Sequence, residues 1–189
     1  NGIDLREHGS HNIGATNAVR VLGKKWGVPV FFCDFLKGYL PLLYMRAHLG
    51  WEVADYSPAE MGWFLGVMFA VVLGHTYTCF LGFKGGKGVA TTGGGLFALS
   101  PLIGFMALIA WVATVAIWRY VSLASMCAGL AMMATAIIQF GVMHGDFSAA
   151  DWMLIGLLAV IFVLVVYKHR SNIGRILNGT EPKIFQKKK

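Results

Sequence analysis

The sequence predicts an all-α integral membrane protein built as a bundle of helices. Hydrophobic residues make up 57% of the 189 residues and charged residues only 13%, which is too few to cover the surface of a soluble domain of this length. Several apolar runs approach or exceed the roughly 20 residues that cross a bilayer as a helix. Because these runs do not alternate between apolar and polar residues, they lack the pattern of a transmembrane β-barrel.

We expect one membrane domain, residues 1–189, because the sequence has neither an internal repeat nor a long linker. Its apolar runs are Val28–Leu49, Met61–Leu81, roughly Gly93–Trp118, Tyr120–Met143 and Trp152–Tyr167. Three cysteines fall inside these runs: Cys33, Cys79 and Cys127. They lack zinc-type spacing, so we interpret them as small buried hydrophobic residues and expect no metal site and no cofactor.

The charges between the runs predict which way the chain faces. The formal net charge of +7 lies in the connectors and the tail, which favours lipid headgroups or an anionic substrate over nucleic acid. Lys and Arg are concentrated before the first run, between the second and third, around Arg119 and in the tail. The other two connectors hold Glu52, Asp55, Glu60, Asp146 and Asp151. Since Lys and Arg favour the cytoplasm, the basic connectors should lie inside and the acidic ones outside.

The third run must then turn back, because the connectors on both of its sides are expected inside. The segment Val89–Trp118 contains Ser100-Pro101 and several glycines, and proline disfavours a helical residue before it and breaks a helix interior. We predict two short helices of about 14 residues each, roughly 20 Å long, packed among the other helices. The alternative is one long tilted helix with Arg119 outside.

The segment GSHNIGATNAVR, from Gly9 to Arg20, is dense in small and polar residues. The guanidinium of Arg20 matches phosphate with a forked pair of donors. Ser10 and Asn12 add hydrogen-bonding groups, and backbone amides near glycines also bind anions. The segment therefore indicates a phosphate site, although an ordinary polar interfacial loop is the simpler interpretation.

A cationic loop rich in glycine follows the second run, within the sequence GHTYTCFLGFKGGKGVAT. It contains Lys84, Gly85, Gly86, Lys87 and Gly88. The loop departs from a nucleotide-binding P-loop, because a glycine stands where that motif has a hydroxyl residue after the lysine. Glycine amides beside lysine still suit phosphate, whereas a positive-inside anchor explains the lysines but not the glycines. His75, ahead of the loop, fits a structural cap of the helix end as well as a catalytic role.

The tail begins with YKHRSNIGRILNGTE. On a helix, His169, Asn172 and Arg175 would share one face through i, i+3 spacing. A basic membrane stop explains Arg175 but neither His169 nor Asn172, nor the following Glu181.

Four further polar residues lie at or inside the apolar runs. Ser122 and Ser125 stand at the start of a run, where small hydroxyl residues either bind substrate or pack helices closely. Asp34 and Lys37 lie within the first run. Ionisable residues there are functional candidates, but these two are three positions apart and can simply pair.

Together these segments resemble the bacterial acyl-phosphate:glycerol-3-phosphate acyltransferase family. Its three motifs are GSxNxGATNxxR, GH…GFKGGKGVAT and HRxNIxRxxxGxE. The chain has all three in the same order, as GSHNIGATNAVR, GHTYTCFLGFKGGKGVAT and HRSNIGRILNGTE. The resemblance covers nearly the whole chain, and the combination is far more specific than any single motif.

The resemblance implies a multi-pass enzyme of the bacterial inner (cytoplasmic) membrane, with seven transmembrane helices and a cytoplasmic active site. The family's first helix precedes the GS motif and we expect it to be missing, which leaves about six helices, two of them short. The implied reaction moves a fatty acyl group from acyl phosphate to the carbon-1 hydroxyl of glycerol 3-phosphate, giving lysophosphatidic acid and phosphate in phospholipid biosynthesis. The implied partners are these two substrates and membrane lipid, with no nucleic acid and no obligate protein partner.

We assign roles to residues of the matched motifs and to the two serines. The expected catalytic residues are His169, Asn172, Ser10 and Lys87. The expected substrate-binding residues are Arg20, Asn12, Gly85, Gly86, Gly88, Ser122, Ser125 and Lys84. Because phosphate is a good leaving group, the hydroxyl can attack directly without a covalent enzyme intermediate. Either His169 or a substrate phosphate can accept its proton.

Two alternatives come from other functional classes. A phosphate or phospho-solute transporter would also suit Asp34, Lys37 and broken helices, but the chain is small, lacks an inverted repeat and carries its polar motifs on one side. A lipid-binding scaffold without chemistry would leave the glycine loop, His169 and Asn172 unexplained.

Overall fold

The structure is a computed structural model that describes residues 2–50, 53–142, 145 and 147–184. Over these residues it has eight α-helices and no strand. In chain order they are α1 (Ala15–Leu22), α2 (Lys24–Leu49), α3 (Pro58–Thr76), α4 (Val89–Leu99), α5 (Pro101–Trp118), α6 (Val121–Ala136), α7 (Ala149–Lys168) and α8 (Arg170–Leu177). Short 3-10 turns occur at Val53–Asp55 and Cys79–Leu81, and a wider π-helical turn, Ile137–Val142, extends α6.

Five helical segments of the described chain are long and apolar enough to cross a membrane. They are Lys24–Leu49, Pro58–Leu81, Pro101–Trp118, Val121–Gly141 and Ala149–Lys168. The predicted all-α membrane bundle is confirmed, while the expected number of crossings stays a prediction. Three residues used above, Glu52, Met143 and Asp146, lie outside the described residues.

The predicted break of the third run is present at Ser100. Its backbone is extended (φ −149°, ψ 115°) between α4 and α5, and its side chain accepts a hydrogen bond from the Ile103 amide. Pro101 takes the first position of α5, where a missing N–H leaves no helix acceptor unpaired. The rings of Phe97 and Phe105 contact each other across the break with centroids 5.0 Å apart, so α4 and α5 form the predicted hairpin.

The two arms of the hairpin differ in length. Helix α4 has 11 residues and α5 has 18, so the expectation of two equally short helices is wrong. The proline lies nearer to the start of the segment, and α5 continues until Arg119 adopts a left-handed conformation (φ 62°). Helix α4 would be only roughly 16 Å long, and most of its residues are buried among other helices, as predicted.

Helix α4 lies in direct backbone contact with α2. A Cβ atom added to Gly38 of α2 would lie 2.0 Å from the carbonyl oxygen of Thr91. One added to Gly94 of α4 would lie 2.0 Å from the carbonyl oxygen of Phe35. Glycine at these positions therefore lets the two helices approach closely, as small residues do in membrane bundles, and this contact fixes the start of α4 beside α2.

Polar side chains tie the end of the bundle at which α4 meets α5. Ser100 Oγ donates a hydrogen bond to Gln139 Oε1 at 2.8 Å. Arg46 Nη1 donates to the carbonyl oxygen of Ala98 at 2.8 Å. These contacts satisfy backbone and side-chain groups at the helix break, which surrounding lipid could not do.

Two of the acidic residues in the connectors cap helices at this same end. Ser57 and Glu60 form a reciprocal capping box at the start of α3, and Ser148 and Asp151 form another at the start of α7. Carboxylates are favourable at helix N-termini. The presence of Glu60 and Asp151 is thus explained by helix capping. The predicted orientation of the chain in the membrane therefore rests on the basic residues.

The outer surface of the bundle is apolar. Large exposed apolar side chains include Phe32, Trp63, Ile109, Ile117 and Val163. Cys33 and Cys79 are exposed and Cys127 is partly buried, so our interpretation of the cysteines as buried is wrong. In a membrane the outside of the bundle is as apolar as its core, and composition alone does not tell the two apart.

We predict that residues 84 and 119 lie on the same side of the membrane and residue 149 on the other side. Single cysteines at Lys84, Arg119 and Ala149, in a chain without native cysteines, can be tested with a membrane-impermeant thiol reagent in sealed vesicles. The first two should react in vesicles of the same orientation and the third in vesicles of the opposite orientation. Reaction of position 119 together with position 149 would contradict the α4–α5 hairpin.

Candidate active site

One cavity of about 350 Å³ lies at the end of the bundle where α4 begins and α5 and α7 end. The predicted site residues that line it are Ser10, Asn12, Arg20, Lys87, Gly88, Ser122, Ser125, His169 and Asn172. Part of its wall is apolar and includes Phe97, Trp111, Met132 and Phe162. The fold thus brings three motifs that are far apart in the sequence to one cavity with a polar part and an apolar part.

A buried carboxylate, that of Glu181, connects the polar segments. Its Oε1 atom accepts hydrogen bonds from Ser122 Oγ at 2.8 Å and from Asn172 Nδ2 at 2.6 Å. Its Oε2 atom accepts one from Arg175 Nε at 2.7 Å. Lys87 Nζ in turn donates to Asn172 Oδ1. Through this network the glycine loop is tied to α8, and the tail is tied to the start of α6.

Burial and neighbouring charges set the protonation of this network. Burial is the main cause that lowers the pKa of Lys87 to about 8; the charge of Glu181 opposes the shift, and Arg175 and Arg20 contribute to it. Burial also acts to raise the pKa of Glu181, but hydrogen bonds from Asn172, Ser122 and Arg175 outweigh it and hold this pKa below its usual value. At pH 7 the Glu181 carboxylate is therefore accompanied by the cations Lys87 and Arg175, with Arg20 at the same cavity, and this excess of positive charge around the network suits an anionic ligand.

His169 lies at the junction of α7 and α8, and only 3% of its surface is exposed. Its Nδ1 atom lies 2.8 Å from the carbonyl oxygen of Val165. A carbonyl only accepts, so Nδ1 carries the proton and Nε2 of the neutral ring is an acceptor. Burial, and then the charge of Lys87, lowers the pKa of His169 to about 4. At pH 7 the ring is neutral and can accept a hydrogen bond, but it is a weak base.

The N-terminal segment is shaped by one buried side chain, that of Asn17. Its Oδ1 atom accepts a hydrogen bond from the Ser10 amide at 2.8 Å. Its Nδ2 atom donates to the carbonyl oxygens of Leu5, His8 and Asn12 at 3.1, 2.9 and 2.8 Å. Asn17 thereby holds the turn that places Ser10 and Asn12 at the cavity. Arg20, one turn further along α1, lies at the same cavity.

The glycine loop is fastened to the end of α3. The amides of Gly85 and Gly86 donate to the carbonyl oxygens of Thr76 and His75, each at 3.2 Å. These two glycines do not line the main cavity, so their assignment as substrate-binding residues stays a prediction without a contact there. Gly88, in a left-handed conformation (φ 79°), caps the start of α4 and lines the cavity.

The first amides of α4 are better placed for an anion than those of Gly85 and Gly86. No side chain caps this helix start, although the first amides of a helix lack backbone partners within it. Lys87, Gly88, Val89 and Ala90 all line the cavity. The start of α4 therefore offers a positive helix end beside the Lys87 ammonium group.

The two lysines of the loop lie in different places. Lys87 lines the main cavity, whereas Lys84 is exposed and lines a second, polar cavity with Gly85 and residues of the N-terminal segment, among them Arg6 and Glu7. The assignment of Lys84 to substrate binding therefore stays a prediction, without a contact in the main cavity.

Three residues of the site had no role predicted from the sequence. Glu181 connects its segments, Asn17 shapes one of them, and Thr92 lines the cavity with a buried hydroxyl for which the described residues supply no hydrogen-bond partner. All three stand in or beside the quoted motifs, and this was the signal that could have found them. Among the described residues, no three His, Cys, Asp or Glu side chains lie close enough together to hold a metal ion.

The fold and the site define an integral membrane protein with a cavity in which cationic groups lie beside apolar walls. Comparison with known proteins gives the family. The chain belongs to the glycerol-3-phosphate acyltransferase family, whose family model matches residues 1–179. A glycerol-3-phosphate acyltransferase of Aquifex aeolicus (strain VF5) is 42% identical over 181 residues, which cover 95% of this chain and 85% of that protein. One of Geotalea daltonii is 43% identical over 181 residues, 95% of this chain and 84% of the relative.

Solved structures agree with this assignment. The crystal structure of PlsY (YgiH), an integral membrane glycerol 3-phosphate acyltransferase, in its glycerol 3-phosphate form superposes with a TM-score of 0.82 at 41% sequence identity. The match covers 98% of this chain and 87% of the other. The lysophosphatidic acid form of PlsY gives a TM-score of 0.76, also at 41% identity, over 92% of this chain and 80% of the other. The predicted resemblance to acyltransferases of glycerol 3-phosphate is confirmed.

We predict that Glu181→Ala destabilises the protein more than Glu7→Ala, an exposed control. Losing hydrogen bonds to a charged group typically costs about 1.5–3 kcal/mol, and Glu181 accepts three of them. Thermal unfolding in detergent measures the difference. The pKa of Glu181 is lowered in the folded protein, so its contribution is present above its usual pKa and is lost as the pH falls. Equal melting temperatures of the two variants at pH 7 would contradict the role of Glu181 as the connecting residue.

Proposed function

We propose that this chain is an acyltransferase that moves a fatty acyl group from acyl phosphate to the carbon-1 hydroxyl of glycerol 3-phosphate. The products are lysophosphatidic acid and phosphate. Acyl transfer to glycerol 3-phosphate follows from membership of the family. One observation supports acyl phosphate as donor: Lys87, the first amides of α4 and apolar walls border a single cavity. This arrangement suits a phosphate joined directly to an acyl chain.

The two substrates need different parts of the cavity. Glycerol 3-phosphate is small and charged, and we assign its phosphate to Arg20, Ser10 and the segment that Asn17 holds. The acyl phosphate is amphiphilic, so we place its phosphate at Lys87 and the start of α4 and its chain along the apolar walls. Cations and helix-end amides near both phosphates would offset the negative charge that the transition state concentrates.

The reaction is a direct acyl transfer between two oxygen atoms. The carbon-1 hydroxyl oxygen forms a bond to the carbonyl carbon, the bond from that carbon to the phosphate oxygen breaks, and phosphate leaves with the electron pair. Asn172, held between Lys87 and Glu181, would orient the reacting groups. Holding both substrates in reactive geometry supplies a large part of catalysis in such reactions.

The hydroxyl proton must go to a base, and the environment of His169 favours a substrate phosphate. A general base works best when its pKa lies near the working pH, whereas burial lowers the pKa of His169 to about 4. The second pKa of a phosphate monoester lies near about 6. We therefore assign His169 to accepting a hydrogen bond at Nε2 that aligns the hydroxyl, and a substrate phosphate to taking the proton.

We further propose that the protein spans the bacterial inner membrane with this cavity on the cytoplasmic side. The connectors at the cavity end carry Arg20, Lys84, Lys87, Arg119 and Arg170. Basic residues in short connectors favour the cytoplasmic side. Both proposed substrates would then be reached from the cytoplasm and the adjoining lipid.

The proposal is tested by offering the purified protein three acyl donors in parallel. We expect radiolabelled glycerol 3-phosphate to be converted to lysophosphatidic acid with acyl phosphate, and not with acyl-CoA or acyl-carrier protein. Arg20→Ala is expected to reduce the rate by about 100-fold, as is typical for the loss of one well-placed charged donor. Preference for a thioester donor would reject acyl phosphate. Uptake of glycerol 3-phosphate into sealed vesicles without acyl transfer would favour a transporter.

A further inference from the structure

A second group of ionisable side chains lies between α2 and the end of α3. Asp34 Oδ1 is 2.7 Å from Lys37 Nζ and 3.4 Å from His75 Nδ1. The predicted pairing of Asp34 with Lys37 is therefore confirmed. The side chains of Asp34 and His75 are 11% and 8% exposed, whereas that of Lys37 is 45% exposed. The mechanism above uses neither of the two buried residues, although both line the cavity.

His75 also contacts the glycine loop in two ways. Its carbonyl oxygen accepts the hydrogen bond from the Gly86 amide. Its ring fills the space beside Gly86, since a Cβ atom at Gly86 would lie 2.1 Å from His75 Nε2. A Cβ atom at Gly85 would likewise lie 2.0 Å from the carbonyl oxygen of His75. The loop therefore needs glycine here because of His75, and the position of the loop depends on where the ring lies.

The ring of His75 in turn lies against Asp34, with Nδ1 3.4 Å from Oδ1. A carboxylate only accepts hydrogen bonds, so Nδ1 of His75 carries the proton toward Asp34. Helix α2, which carries Asp34, is itself held by the backbone contact of Gly38 with Thr91 on α4. Asp34 on α2 thus connects the end of α3, which precedes the loop, to α4, which follows it.

Lys87 directly follows Gly86, so the position of the loop determines where the Lys87 side chain lies. Lys87 reaches Asn172 only if the chain leaves α3 in the right direction. A displacement of about 1 Å in a catalytic group can cost about 100-fold in rate, so residues that fix the loop can control the reaction without touching a substrate.

We propose that Asp34 and His75 form a positioning pair that holds the loop 82–88 against α3 and so places Lys87 beside Asn172. The pair acts through Lys87 and rests on the proposed function for its effect on the reaction. It differs from a simple cap of the helix end, because it links three elements by a side-chain contact, a ring contact and backbone hydrogen bonds.

The first test is a kinetic double-mutant cycle on the full membrane-inserted chain. We expect His75→Ala and Asp34→Ala each to lower kcat/KM for acyl phosphate, whose phosphate we place at Lys87, by about tenfold or more, as a misplaced catalytic group does. The KM for glycerol 3-phosphate should change little, because we assign its phosphate to Arg20 and Ser10 and not to Lys87. Residues that act as one unit are not additive, so the double variant should lose no more than His75→Ala alone. His48→Ala, an exposed histidine near the other end of α2, is the control and should match the wild type.

A second measurement does not depend on activity. The rate at which an acetylating reagent modifies the Lys87 amine, followed by mass spectrometry, reports how well the loop is held. It should rise in His75→Ala and fall back toward wild type in His75→Asn, whose side-chain amide takes the place of Nδ1. The exposed Lys84 amine serves as the reference for reagent reactivity within each sample, and an unchanged melting temperature excludes general unfolding.

Two results would overturn the pair. One is wild-type kinetics and wild-type Lys87 modification in His75→Ala. The other is a double variant whose loss is the product of the two single losses, which would mean that Asp34 and His75 act separately. If the wild type itself fails to transfer acyl groups, the proposed function fails, while the modification of Lys87 still decides whether the pair holds the loop.

Discussion

The carboxylate of Glu181 is the interaction on which the site depends. It accepts hydrogen bonds from the start of α6 and from α8, and through Asn172 it reaches Lys87 in the loop before α4. These segments are far apart in sequence, and the tail has further contacts with the start of α6, including a hydrogen bond from the Ile184 amide to the Arg119 carbonyl oxygen. Leaving such a carboxylate without its donors would be costly at this depth. Because all of these donors must reach the carboxylate, the helix ends are held in one arrangement, and the cavity lies between them.

The cavity combines two environments that rarely occur together. Cations and helix-end amides lie beside walls made of aromatic and aliphatic side chains. Burial shifts the pKa of Lys87 to about 8, yet leaves it charged at pH 7, while His169 stays neutral. The same lack of water that causes these shifts strengthens every charge interaction with a bound phosphate. In the proposed reaction the membrane bundle would supply both apolar walls for the acyl chain and charged groups for its reactive end.

Much of the fold and part of the site could be predicted from the sequence. The basic connectors on both sides of the third apolar run, together with Ser100-Pro101, predicted the α4–α5 hairpin. The basic connectors also predicted that the three motifs share one end of the bundle. The structural reason for Gly85 and Gly86 could not be predicted, because it is the close approach of His75, which lies in another element. Composition could not place Cys33, since side chains facing lipid and side chains facing the core are equally apolar. It also could not show that Lys87 lines the cavity whereas Lys84 does not. These properties depend on tertiary contacts.

The most direct test of the account compares the two loop lysines. Both lie in the same cationic loop, but only Lys87 lines the main cavity and contacts Asn172. Titration calorimetry on Lys87→Met and Lys84→Met measures the binding of glycerol 3-phosphate and, separately, that of a non-reactive acyl phosphate analogue. The account predicts that Lys87→Met weakens binding of the analogue by about tenfold or more, as loss of a charged hydrogen bond does, and that Lys84→Met binds like the wild type. Equal weakening in both variants, or a larger loss in Lys84→Met, would contradict it.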